Sequence, residues 1–324
     1  SHSIKILLGL VVMLVVAVID LEFWKKNAFY LYFICIILLI WASFYGHIGK
    51  GSRRWINFSG FYMQPSEFMK ICIILSLAKF FDEKQIKEKR DYFFLILPLS
   101  LVLFPFGLII SQPDLGTASM ILFISFLIFF ISGLSWKFFA SLGVGFLIIA
   151  PSLWNSLKNY QKQRILTLFN PENDPLGSGY HIIQSQIAIG SGGTFGKGWM
   201  KGTQSHLDFL PEKHTDFIFT LFSEEFGFLG SIILILLYIL LIYRIINVGL
   251  VSRSFFAKLY CFGFATAIFL YVFVNIAMVL GLLPIVGAPL PIMSYGGSSL
   301  LSIMLGLSIV MSCKIYSQDQ ISAY

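Results

Sequence analysis

Asp208, Glu212, His214 and Asp216 are the groups in this sequence best placed to do chemistry. They crowd into one stretch, His206-Leu-Asp-Phe-Leu-Pro-Glu-Lys-His-Thr-Asp-Phe-Ile-Phe219. It closes a long polar segment that begins near residue 155, and an apolar run through Ile245 follows. Ser223, Glu224, Glu225, Gly227 and Gly230 are the chief interruptions of that run. An acid at such a junction has the low-dielectric surroundings that tune proton-transfer groups, yet stays within reach of a polar substrate. Asp216 is the expected chemical centre.

Two other clusters are candidates. In Gln64-Pro-Ser-Glu-Phe-Met-Lys70, Pro65 suits the first position of a helix and Glu67 suits its positive end. Glu67 and Lys70, three apart, share a helix face. As structure this is a capped helix with an internal ion pair; as function, Lys70 held by Glu67 could meet a pyrophosphate. Ser111-Gln-Pro-Asp-Leu-Gly-Thr117 is a short turn in which Asp114 reads first as an N-cap and second as a site residue.

Other chemistries find less support. Gly190-Ser-Gly-Gly-Thr-Phe-Gly-Lys-Gly198 is not a nucleotide phosphate loop, because Gly198 stands where Ser or Thr is required. It reads as a lid, a backbone contact with substrate, or a linker. His181, His206 and His214 share no metal-ligand spacing, although acids beside a pyrophosphate could recruit a divalent cation.

The elements that must position these groups are membrane spans. Only 12% of the 324 residues are charged and 57% are hydrophobic, with mean hydropathy +0.83. An ordinary soluble domain is about 25% charged. Apolar runs near bilayer length predict an all-α integral membrane bundle of about nine spans, at 4–20, 28–46, 68–80, 93–111, 117–133, 138–154, 217–243, 257–281 and 298–313. The whole chain, 1–324, reads as one membrane domain with 155–216 as a long loop inside it, where 180–189 forms a short amphipathic helix on the membrane. The first run lacks a basic leader and a cleavage site, so it is a span rather than a signal peptide. The chain opens on Ser-His-Ser rather than Met, and a further segment upstream is expected. Cys35, Cys72, Cys261 and Cys313 fall in apolar runs and read as small buried hydrophobes.

Lysine and arginine placement orients the spans. Lys25, Lys26, Lys84, Lys87, Lys89, Arg90, Lys137, Arg244, Arg253 and Lys258 share one side, which should be cytoplasmic. The opposite side keeps cations too: Lys50, Arg53 and Arg54, and in the long loop Lys158, Lys162, Arg164, Lys197, Lys201 and Lys213. Cations outside suggest an anionic ligand such as phosphate, with loop solubility or lipid headgroups as the plainer reading. Pro284 to Ser299, rich in proline and glycine, reads as a cavity wall, since irregular backbone at membrane depth must line a cavity or be buried.

Arg54-Trp55, Gln64-Pro-Ser-Glu67, Gln112-Pro-Asp-Leu-Gly116, Asp174-Pro-Leu-Gly-Ser-Gly-Tyr180, Phe209 to Phe219 and Pro289 to Ser299 run through nearly the whole chain. In these the sequence resembles the SEDS family (shape, elongation, division and sporulation). Gly196-Lys-Gly-Trp-Met-Lys-Gly-Thr-Gln204 and Val286-Gly-Ala-Pro-Leu-Pro291 resemble its RodA-type elongation branch rather than the FtsW division branch. The resemblance implies a ten-span fold whose second span corresponds to the first one here. It implies a peptidoglycan glycosyltransferase that polymerises lipid II, donor and acceptor alike, on the outer face of the bacterial cytoplasmic membrane. A class B penicillin-binding protein and the cell-elongation machinery are the implied protein partners; nucleic acid is not. Asp216 matches the family's essential acid, and Glu67 and Lys70 its cavity ion pair. Arg53, Arg54, Trp55, Asp114 and Lys213 complete the expected substrate-binding set.

The chemistry suits a lone acid. A sugar hydroxyl is a poor nucleophile, so a positioned base is worth about 10²–10⁴-fold. Pyrophosphate leaves as a stable anion and needs cations more than a general acid. With an α-linked donor and a β-linked polymer, as the family implies, single displacement with inversion follows and no soluble cofactor is required. The competing expectations are a lipid II flippase and a non-catalytic scaffold for the cross-linking partner.

Overall fold

The computed structural model of the protein describes residues 2–49, 52–58, 61–84, 92–156, 159–171, 174, 177–202 and 215–318. Its described helices are α1 (His2–Ala17), α2 (Leu21–Tyr45), α3 (Pro65–Glu83), α4 (Ile96–Ser111), α5 (Leu115–Ile131), α6 (Trp136–Ser156), α7 (Asn159–Phe169), α8 (Ser178–Ser191), α9 (Ile218–Val251), α10 (Phe255–Val279) and α11 (Gly297–Ile315). Every expected span is a helix. α2, α9, α10 and α11 are long and apolar enough to cross a membrane, and α1, α4, α5 and α6 contribute shorter apolar stretches. The ninth, α3, carries Glu67, Lys70, Lys79, Asp82 and Glu83 and is the least apolar of the set. The result is a polytopic helical membrane fold whose chain divides into two compact units.

The first unit comprises Ser1–Ser132, Tyr238–Tyr271 and Pro291–Tyr324. α3 is its centre, buried along almost its whole length and contacting α2, α4, α5 and α11. A helix enclosed on all sides must be apolar or paired throughout. Ile71 to Leu75, Leu77 and Ala78 meet the first condition, and Glu67 with Lys70 meets the second. At the other end, Asp82 receives Lys25 Nζ of α2 at 2.6 Å and the Phe256 N–H at the start of α10 at 3.0 Å. One carboxylate thus caps a helix it does not belong to and neutralises a buried cation. The four cysteines are free thiols buried in this unit.

Between α2 and α3 lies a small antiparallel sheet: β1 (His47–Gly49), β2 (Ser52–Phe58) and β3 (Phe61–Met63). This region reads from sequence as an outer loop, because its strands are too short and too polar to give a periodic signal. In the β1–β2 register His47 opposes Trp55 and Ile48 opposes Arg53, so Arg54 is the extra residue of a bulge. Bulges bend a strand and re-aim a side chain.

The second unit comprises Gly133–Leu237 and Val272–Leu290. Residues 155–216 are more structured than a loop, since α7 and α8 lie within them. α8 extends the expected amphipathic helix, and its buried residues Ile182, Ser185 and Ala188 recur at helical spacing. Ser185 donates to Val279 O and Gln186 to Leu280 O, which ties α8 to the end of α10. α6 instead exposes Phe146, Leu147 and Ile148, as a helix solvated by lipid does.

Within α9 the helix breaks at Gly227, whose φ is 67° and ψ −164°. The glycine-rich segment after α8 fills the break. Lys197 and Gly198 N–H donate to Glu224 and Glu225 carbonyls, and Phe228 and Leu229 N–H donate to Gly193 and Thr194 carbonyls, all at 2.9–3.1 Å. The approach is possible only between glycines: a Cβ on Gly196 would lie 2.1 Å from Glu225 O, and one on Gly227 would lie 2.3 Å from Gly196 N. This stretch is a structural plug rather than a lid.

Candidate functional site

Asp216 stands in a turn, Thr215 to Phe217, immediately before α9. Phe217 and Phe219 point into the protein, 3% and 4% exposed, while Asp216, just before these apolar anchors, is half-buried. Its backbone is held by Asn275 of α10. The Asn275 Nδ2 donates to Asp216 O at 2.8 Å and to Ala288 O at 2.7 Å. Gly287, next to Ala288, has φ +73°, and a Cβ built there would lie 3.6 Å from Asp216 Oδ2. The carboxylate therefore rests beside glycine backbone in the proline-rich loop. Asp208, Glu212, Lys213 and His214 lie outside the described residues.

The same unit holds an ion pair between a half-buried lysine and a buried glutamate of the helix that follows this turn. Lys197 Nζ meets Glu224 Oε1 at 2.8 Å, with the glutamate side chain 1% exposed. The bond links the glycine-rich plug to α9 eight residues beyond Asp216.

In the first unit, Glu67 and Lys70 pair at 2.8 Å with side chains 5% and 3% exposed. Tyr271 joins them: Lys70 Nζ contacts the phenol oxygen, and the phenol donates to Glu67 Oε2 at 2.5 Å. The three line a narrow cavity closed by Ile71, Ile74, Phe264, Ile268 and Ser302. In so apolar a wall a charge persists only when every polar neighbour is satisfied.

Arg54, redirected by the bulge, grips the end of α4. Its Nε donates to Gln112 O at 2.8 Å, Nη2 donates to Pro113 O, and Nη1 lies 3.5 Å from Asp114 Oδ2. Asp114 caps α5 by accepting from Thr117 N and Oγ1, both at 3.1 Å, and it accepts from Gln64 Nε2 at 3.1 Å. The N-cap reading of Asp114 thus holds, and Arg54 is engaged with carbonyls at a helix C-terminus. Arg53 is exposed; its Nη1 donates to Phe44 O at 3.1 Å. It lines an open concavity of about 620 Å³ with Trp41, Phe44, Tyr45, His47 and Asn57. Trp55, opposite His47 in the sheet, is half-buried.

Glu67 with Lys70, and Arg54 with Asp114, are the predicted residues that the structure brings together. Three participants escape the sequence reading: Asn275, Tyr271 and the Lys197–Glu224 pair. Asn275 did leave a signal, as an amide inside an otherwise apolar helix, where polar groups carry a cost and a reason. Among the described residues no cluster of His, Cys, Asp and Glu is arranged to hold a metal ion.

The FtsW/RodA/SpoVE family model, described as "Cell cycle protein", matches residues 1–319. Peptidoglycan glycosyltransferase MrdB of Escherichia coli (strain K12) is 46% identical over 316 residues, covering 95% of this chain and 83% of that protein. A chain solved in work on structural coordination of polymerization and crosslinking by a peptidoglycan synthase complex superposes with a TM-score of 0.84 at 32% identity. That match covers 98% of this chain and 90% of the other. The crystal structure of the rod shape determining protein RodA of Thermus thermophilus gives a TM-score of 0.73 at 28% identity, covering 98% and 88%.

Proposed function

This chain belongs to the FtsW/RodA/SpoVE family of cell cycle proteins, and from that membership we propose that it is a peptidoglycan glycosyltransferase, polymerising lipid II into glycan strands during cell elongation, with Asp216 as general base. The relative of 46% identity that bears the name peptidoglycan glycosyltransferase supports the reaction class. The observation that carries the assignment of the base is the setting of Asp216. It is a half-buried carboxylate on backbone pinned by a buried amide and seated against glycine.

The 4-hydroxyl of the acceptor sugar gives its proton to Asp216 as its oxygen bonds to the anomeric carbon of the donor. The bond from that carbon to the lipid pyrophosphate breaks, and configuration inverts. A fixed base supplies orientation as well as proton affinity. The departing pyrophosphate calls for cations. Arg53, exposed at the rim of its concavity, and Lys213 are the proposed contacts. Lys70, neutralised by Glu67 and tied to Tyr271, shapes the cavity instead. Arg54 and Asp114 set the geometry of the α4–α5 turn, and Trp55, next to Arg54 in the strand, is a further proposed substrate contact. No soluble cofactor enters the scheme, and a divalent cation at the pyrophosphate is compatible with it.

The protein works in the bacterial cytoplasmic membrane with its acid on the outer face, where the outward cations collect. Its partner is a class B penicillin-binding protein that cross-links the new strands, a reading supported by the likeness to a chain of a peptidoglycan synthase complex. Purified Asp216→Asn with that partner should make no polymer from labelled lipid II while still binding the partner. Wild-type levels of polymer from the variant would dismiss Asp216 as the base. Lipid II crossing sealed vesicles without being polymerised by the wild type would replace the enzyme with a flippase.

A further inference from the structure

Asn275 sits in α10, a helix of 25 residues whose other side chains are almost all apolar, and it is wholly buried. An amide there forfeits the easier burial of a leucine and must recover the loss through its bonds. Both bonds that it donates end on backbone carbonyls outside regular structure: Asp216 O in the turn before α9, and Ala288 O in the proline-rich loop. Its Oδ1 is buried with no partner among the described residues. A residue selected for packing alone would not leave an acceptor in that condition.

The choice of carbonyls is informative. One belongs to the proposed base itself, one bond from the Cα that directs its side chain. The other adjoins Gly287, whose open Cα face lies against the Asp216 carboxylate. A single NH₂ group therefore registers both the acid's backbone and the surface on which its carboxylate rests.

We infer that Asn275 is a positioning residue for Asp216: its side-chain amide locks the acid's main chain to the 284–290 loop so that the carboxylate is presented at one fixed place. This inference rests on the assignment of Asp216 as the base. Without the clamp the turn and the loop move independently, and a displacement near 1 Å is enough to cost about 10²-fold in rate.

The test uses the purified chain with its penicillin-binding partner, labelled lipid II, and the variants Asn275→Leu, Asn275→Asp and Asp216→Asn. kcat, KM and the folded fraction are measured for each. Asn275→Leu should lower kcat per folded molecule about 10- to 100-fold with KM within about twofold, because the loss is one of orientation rather than of ground-state binding. Asn275→Asp offers one O–H donor when neutral and repels both carbonyls when ionised. Its kcat relative to wild type should fall as pH rises, whereas the wild type needs Asp216 ionised and gains or holds. A purely structural asparagine would lower the folded fraction and leave kcat per folded molecule unchanged, which would overturn the inference. So would a rise in KM alone. If Asp216→Asn polymerises normally, the assignment of the base fails; if it is inactive while Asn275→Leu turns over like wild type, only the clamp fails.

Discussion

Breaking the Glu67–Lys70 pair one residue at a time should be far worse than removing both. The side chains are 5% and 3% exposed and 2.8 Å apart, so either single truncation strands a charge in an apolar wall. Removing one partner of a buried pair costs about 3–5 kcal/mol, whereas replacing both by apolar groups of similar volume is often neutral or better. In Glu67→Leu/Lys70→Met the Tyr271 hydroxyl loses its two partners, and an orphaned hydroxyl costs about 1–2 kcal/mol. Each single variant should therefore lose about 3–5 kcal/mol and the double about 1–2, a coupling of about 4 kcal/mol or more. Unfolding titrations in detergent, with intrinsic tryptophan fluorescence as the signal, measure all three. A double variant as unstable as the two losses added together would refute the reasoning, since the charges would then not be held by one another. Polymerisation by the stable double variant answers a second question. Activity restored together with stability means that Lys70 acts through cavity shape, as proposed, and a stable but inactive protein means that the ions themselves meet the substrate.

Gly196→Ala should destabilise by at least about 1–3 kcal/mol from its φ of +80° alone, with more from a methyl 2.1 Å from Glu225 O, seen as a lower melting temperature in detergent. Asp114→Ala should cost about 1–2 kcal/mol through the lost α5 cap, while Asp114→Asn keeps most of that stability; equal melting of the two variants would contradict the cap. Arg53→Ala, at an exposed position, should change stability by less than about 0.5 kcal/mol yet raise KM for lipid II severalfold, and an unaltered KM would remove Arg53 from the pyrophosphate site.

The spans were legible because lipid demands apolar helices and the sequence supplies them; α3, the least apolar, is marked instead by the proline and glutamate at its start. The position of Asp216, half-buried in the turn before α9, was legible for a related reason: it stands where a polar segment gives way to an apolar run. What stayed hidden depends on contacts between distant segments. Nothing near Arg54 announces that a strand bulge will turn it toward Gln112 and Pro113, 58 and 59 residues away. The glycines of 190–198 look like a flexible tether until Gly227 breaks α9 and gives them a seat. Tyr271 reads as one more aromatic in an apolar helix, and only tertiary packing brings it to Lys70, 201 residues earlier.

The four buried thiols have a practical consequence. Cys35, Cys72, Cys261 and Cys313 are at most 9% exposed, and maleimide capture requires an accessible thiolate. The native protein should stay dark to such reagents without any cysteine being removed. A reporter thiol introduced at an exposed position, such as Tyr45 beside the Arg53 concavity or Trp199 on the glycine plug, would then take the label alone. Photocrosslinkers attached at those two places could trace where the lipid tails of a substrate run across the protein surface.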